Sequence, residues 1–136
     1  MGIEYLNPEG LHKNPAFSQV VVTYGNVRTI YIGGQNAITP SGEIVDKNDI
    51  GRQAEQIFEN LETALSSANA QLEHVIKWTV YVLQGQPLQP AFEVFQHTWE
   101  NRSNPPLITL LFVAGLAHPD FLMEIEAIAV VPDADS

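Results

Sequence analysis

PPLITLLFVAGLAHPDFLMEIEAIAVV, residues 105–131, carries the clearest fold signal in the chain. It reads as two apolar strands joined by a short polar loop, and the second strand holds Glu124 and Glu126 inside MEIEAIAVV. Residues two apart in a strand face the same side, so both carboxylates leave this strand in one direction. Residues 107–116 are apolar at nearly every position, which a sheet covered on one face only does not require. The second face of that strand therefore needs another cover. A neighbouring subunit is the simplest, since large exposed apolar patches mark interfaces.

Working outward, residues 17–23 and 27–32 read as strands around a Tyr24-Gly25-Asn26 turn, whose Gly and Asn tolerate positive φ. Gly33-Gly34-Gln35 ends the second of them, and Thr39-Pro40-Ser41-Gly42 is a turn with Pro preset for its first central position. Ile50, Ala54, Ile57, Phe58, Leu61, Ala64, Leu65 and Ala68 recur at helical spacing, with Asn48 or Asp49 available as N-cap. Residues 74–83 alternate as a strand. A second helix follows, with Pro90 in its first turn and Ala91, Val94, Phe95, Thr98 and Trp99 along one face. Asn104-Pro105-Pro106 breaks it before the two last strands. The order β-β-α-β-α-β-β predicts an α+β fold, a two-layer sandwich with a mixed sheet and two helices on one face. Residues 1–136 form one domain without linker, repeat or low-complexity segment.

Composition narrows the function classes. Hydrophobic residues make up 45% of the chain, enough for a core and too many for a disordered protein. There is no cysteine, hence no disulfide, thiolate metal site or cysteine nucleophile. The first residues, MGIEYLNPEG, lack the basic and apolar regions of a signal peptide, and no apolar run approaches the roughly 18 residues of a membrane span. A cytoplasmic protein without membrane contact is the expectation. Sixteen acidic against six basic residues give a formal net charge of −10, which argues against nucleic acid as a partner, because that recognition rests on Lys and Arg neutralising phosphates. His12, His74 and His97 show no metal-ligand spacing, and no phosphate loop or nucleophile elbow is present. No metal and no cofactor are expected. His118, in a loop close in sequence to Glu124, is read as solvated.

The Pro-led strand and the Glu-Ile-Glu-Ala tail together resemble the signature of the Rid family of reactive-intermediate deaminases, also called YjgF or L-PSP proteins. The resemblance extends from about Phe17 to Val131 through IYIGGQ at residues 30–35, PSGEIV at 40–45, the helix opening Gln53-Ala54, and VIKWTVYV at 75–82. It implies the chorismate-mutase-like fold, a homotrimer and clefts between subunits that take a small molecule. Active members hydrolyse enamines and imines made from amino acids. Their arginine grips the substrate carboxylate in a bidentate fork, and their last-strand glutamate helps activate water. Mapped onto this chain, that glutamate is Glu124. The arginine position is Ile108, the tyrosine position Phe17, the serine position Gly33, and the small residue two beyond the arginine is Leu110. Gly33 and Gly34 offer backbone N–H groups to an anion, and Gln35 is retained. An alkyl side chain cannot make the fork. The resemblance thus implies a Rid-like deaminase or related small-molecule hydrolase with altered substrate range, Glu124 being its catalytic carboxylate. The competing reading is a non-enzymatic trimer that binds a small molecule or a partner.

Overall fold

The computed structural model describes residues 2–100 and 102–133. Its elements are β1 (Gly2–Leu6), β2 (Val20–Tyr24), β3 (Val27–Gln35), α1 (Ile50–Ser67), a single 3-10 turn (Leu72–His74), β4 (Val75–Leu83), α2 (Gln89–Trp99), β5 (Leu107–Val113) and β6 (Met123–Pro132). Strands β3, β6, β4 and β5 make one mixed sheet in that spatial order, with β6 antiparallel to both neighbours and β5 parallel to β4. A parallel pair needs a crossover, and α2 supplies it. The two helices pack on one face of this sheet, the two-layer α+β architecture that the sequence predicts.

Helix α1 starts at Asp49, whose carboxylate accepts from the backbone N–H of Arg52 at 3.1 Å, a capping bond that satisfies one of the free N-terminal donors. Its inward stripe, Ile50, Ala54, Ile57, Phe58, Leu61 and Leu65, is buried against Trp78, Val82, Ile125, Ala127 and Ala129 of the sheet. Phe58 meets Trp78 edge to face at 5.7 Å and links through Phe95 to Trp99. Gln53 is fully buried in this stripe. Its amide donates to the carbonyls of Val45 (3.0 Å) and Asp120 (2.9 Å), and its oxygen accepts from the Leu122 N–H (2.9 Å). One side chain thereby ties the segment before α1 to the segment before β6.

Three expectations change. The turn at Gly25, φ +77°, joins β2 to β3, but the two strands do not form a hairpin. β2 pairs instead with β1 as a separate antiparallel ribbon, from Gly2↔Tyr24 to Leu6↔Val20, and β1 adds a strand to the expected order. β3 continues through Gly33 and Gly34 to Gln35, with the ladder shifting between Ile32 and Gln35. β5 stops at Val113, short of Leu116. It is an edge strand, and Leu110, Leu111 and Phe112 are exposed in the isolated chain.

Candidate functional site

Alternation along β6 sorts the last strand into two sets. Met123, Ile125, Ala127 and Ala129 are buried toward the helices, whereas Glu124, Glu126 and Ile128 are only partly covered and point to the other side. That outer side also carries Lys77, Thr79 and Tyr81 of β4, with Tyr81 opposite Glu124 and Thr79 opposite Glu126. Tyr31 and Gly33 of β3 join Lys77, Thr79 and Glu126 around a hollow of about 280 Å³.

Glu124 is held in place from two directions. Its Oε1 accepts from Asn36 Nδ2 at 3.2 Å, and the same amide reaches the Met123 carbonyl at 3.4 Å. Asn36 is braced in turn: its backbone carbonyl accepts from Asn60 Nδ2 of α1 at 3.0 Å, and Asn60 Oδ1 accepts from Gln56. The other carboxylate edge lies on the backbone of Gly34. A Cβ built at that position would fall 2.7 Å from Glu124 Cδ and 3.1 Å from Cγ, with Oε2 closer still. A side chain at 34 would occupy the carboxylate's own place, so glycine there is a matter of close approach. The irregular ladder between Ile32 and Gln35 brings this backbone to the carboxylate, a use of strand irregularities that recurs beside active sites.

Glu126 is differently engaged. It accepts the Tyr81 hydroxyl at 2.6 Å, a short charge-assisted bond. That bond, followed by partial desolvation and the charges of Glu126 and Glu124, raises the phenol's pKa above its ordinary 10.0. The two carboxylates of the sequence motif thus share a face but not a task. Glu126 is committed to a phenol. Glu124 has one oxygen on the Asn36 amide and one beside the Gly34 backbone.

The remaining sequence-predicted residues divide between two compartments. Gly33 and Gly34 lie beside the carboxylates, and Gln35 donates to the Gly33 carbonyl at 3.2 Å. Phe17, Ile108 and Leu110 do not join them. The β4–β5 register pairs Trp78 with Ile108 and Val80 with Leu110, and all four, with Phe17, line a cavity on the helix side of the sheet. The β5 residues in register with the outer side are Leu107, Thr109 and Leu111. Thr109, opposite Thr79, therefore reaches the Glu124 side, one residue along from the position read off the sequence. His118 accepts from the Asp120 N–H at 3.0 Å and packs its ring near Phe121, shaping its own loop. Asn36 went unnoticed in the sequence. Its only signal is its place directly after GGQ, where a strand ends and a polar side chain can turn back. Among the described residues no group of three or more His, Asp or Glu side chains could hold a metal ion, and no helix is long and apolar enough to cross a membrane.

Fold and sequence agree on lineage. The family model for endoribonuclease L-PSP matches residues 11–131. The chain is 37% identical over 101 residues to a RutC family protein of Pyrococcus horikoshii, covering 74% of this chain and 77% of that one. It is 30% identical over 115 residues to the 2-iminobutanoate/2-iminopropanoate deaminase of Rattus norvegicus, covering 85% and 80%. Among solved structures, the conserved Rid-family protein YyfB of Yersinia pestis superposes with a TM-score of 0.84 at 31% identity, covering 96% of this chain and all (100%) of that one. The yjgF gene product of E. coli gives 0.66 at 27% identity, over 80% and 84%. The chain belongs to the L-PSP family, known also as the YjgF or Rid family.

Proposed function

We propose that this protein is a Rid-type hydrolase that deaminates imines or enamines at the Glu124 side of its sheet, with a substrate range shifted away from carboxylate-bearing imines. The observation that supports the reading is the seating of Glu124 between Asn36 and Gly34; a carboxylate held in this way suits the role of proton acceptor for water. Imine-deaminase relatives at 29% and 30% identity support the reaction class. The substrate shift rests on β5, whose residues Leu107–Val113 include no arginine in either register. Lys77 lines the same face, but an ammonium is a point charge and does not reproduce a guanidinium fork. A charge-assisted contact contributes about 1.5–3 kcal/mol, so carboxylated imines should be handled at least about tenfold less well than by an arginine-bearing enzyme. With a net charge of −10 the chain is poorly suited to a nuclease's polyanionic substrate.

In this reading the cleft is completed by subunit contact. Tyr31 is 77% exposed, and Leu111 is exposed in register with the same outer side. Together they make an apolar border that a second and third copy would cover. Light scattering should return a trimer, and a monomer near 15.0 kDa would contradict it. The activity test is a panel of neutral and carboxylated imines and enamines generated in situ, with ammonia release as the readout. Glu124→Gln should abolish turnover and leave the trimer intact, and Glu126→Gln should do less. Absence of turnover across the panel would leave the small-molecule-binding reading in its place.

A further inference from the structure

The helix side of the sheet holds a cavity of about 490 Å³ that the Glu124 site does not touch. It lies between α2, the β4–β5 pair and the segment around Phe17, with Trp78 and Ile108 in its wall. It falls within the roughly 300–1,000 Å³ typical of small-molecule pockets. Leu88, Phe92 and Leu110 line it and are also exposed to solvent, which gives a way in. No charged side chain lines it, so an ionic ligand would be desolvated without compensation.

A second, independent observation points to the kind of guest. Trp78 is 1% exposed, and its indole N–H is the buried side-chain donor left without a hydrogen-bond partner among the described residues. Buried donors are nearly always paired, and an orphan costs about 1–3 kcal/mol. The edge-to-face contact with Phe58 supplies ring packing, and a π face is a second-order substitute for an oxygen acceptor. We propose that the cavity is a binding site for a small, uncharged, mostly apolar molecule with one carbonyl-type oxygen, which accepts the Trp78 indole N–H. The site is separated from Glu124 by the thickness of the sheet and stands independently of the deaminase reading.

The test is an NMR titration of the full chain with acetophenone and with α-methylstyrene, the same shape carrying a methylene for the oxygen. Trp78 and Trp99 give separate indole signals, and Trp99, already donating to the Arg102 carbonyl at 3.1 Å, is the internal reference. Acetophenone should move the Trp78 signal downfield and leave that of Trp99 in place, whereas α-methylstyrene should bind without the downfield move. Trp78→Phe should reduce the preference for the ketone about three- to tenfold, the usual net value of one hydrogen bond. Leu110→Trp, filling the mouth, should abolish binding of both, and Glu124→Gln should change neither affinity. An unmoved Trp78 signal at saturating acetophenone, or an unchanged ketone preference in folded Trp78→Phe, would overturn the proposal. If that variant does not fold, the wild-type shifts decide alone.

Discussion

Replacing Gly34 by alanine tests whether the carboxylate position itself matters. The added methyl would sit 2.7 Å from Glu124 Cδ and 3.1 Å from Cγ, closer than carbon atoms pack. Gly34 does not have the positive φ of Gly25 or Gly42, so alanine fits the backbone, and the atoms in the way are the far end of a flexible side chain. The carboxylate will swing out and lose Asn36. That loss costs about 1 kcal/mol for a hydrogen bond at a partly exposed site. Against it stands a gain of about 0.4–1 kcal/mol from the lower chain entropy of alanine in the unfolded state. Fold stability should therefore change by less than about 1 kcal/mol in urea titration. Turnover should fall by about 10²-fold or more, since displacing a catalytic group by about an ångström has that effect. Gly33→Ala, whose Cβ meets nothing within 4 Å, is the steric control. Turnover of Gly34→Ala within about threefold of wild type would refute the claim that Glu124 works where Asn36 and Gly34 hold it. A stability loss of several kcal/mol would refute the claim that only a side-chain end must move.

Thr109→Arg should place a guanidinium on the Glu124 side and improve turnover of carboxylated imines. Ile108→Arg should instead drive a charge into the apolar cavity and destabilise the fold by about 3 kcal/mol or more; the reverse ranking in turnover and denaturation would contradict the register. The Tyr81 phenol, bonded to Glu126, should ionise above 10.0 in an ultraviolet titration, and Glu126→Gln should bring it down. Because the folded-state value is the raised one, the associated stability is complete below the unfolded-state pKa and lost as pH rises through the folded one. A phenol titrating at or below its ordinary value would refute the assignment. Gln53→Leu, which removes the donor to the part-buried carbonyls of Val45, Asp46 and Asp120 and the acceptor of the buried Leu122 N–H, should cost about 2–3 kcal/mol in chemical denaturation; a loss below about 1 kcal/mol would show that these groups find other partners.

What could be read from residues alone follows from how strongly each segment specifies itself. The α1 stripe and its Asp49 cap combine periodicity with a local hydrogen bond, so both are legible. β6 alternates with a period of two and announces its faces, hence the shared side of Glu124 and Glu126. β1 is five residues long, and its partner is chosen by tertiary contact, so GIEYL gave little away although Asn7-Pro8 follows it. β2 and β3 flank a good turn, yet β2 was claimed by another partner. The candidate site was half legible. Gly34 lies against Glu124, whereas Phe17, Ile108 and Leu110 lie on the helix side of the sheet, because β5 is apolar on both faces and its parity cannot be read from residues alone.

That parity has a wider meaning. With Leu107, Ile108, Leu110, Leu111, Phe112 and Val113 apolar on both sides, β5 has no hydrophobic preference between its two possible phases, and such strands are prone to slippage. Selection of one phase falls to anchors at its ends. Ser18, 3% exposed, donates its hydroxyl to the Pro105 carbonyl at 2.5 Å and its N–H to the Pro106 carbonyl at 3.1 Å, while Gln84 N–H holds Val113 at 2.9 Å. Ser18, next to Phe17 at the edge of the helix-side cavity, therefore anchors the entry of the strand. Insertion or loss of a single residue ahead of Leu107 would exchange the contents of the two compartments at one stroke, sending Thr109 among the aromatics and Leu110 to the carboxylate. A lineage could in this way trade a polar reaction surface for a greasy one without changing any residue that lines either.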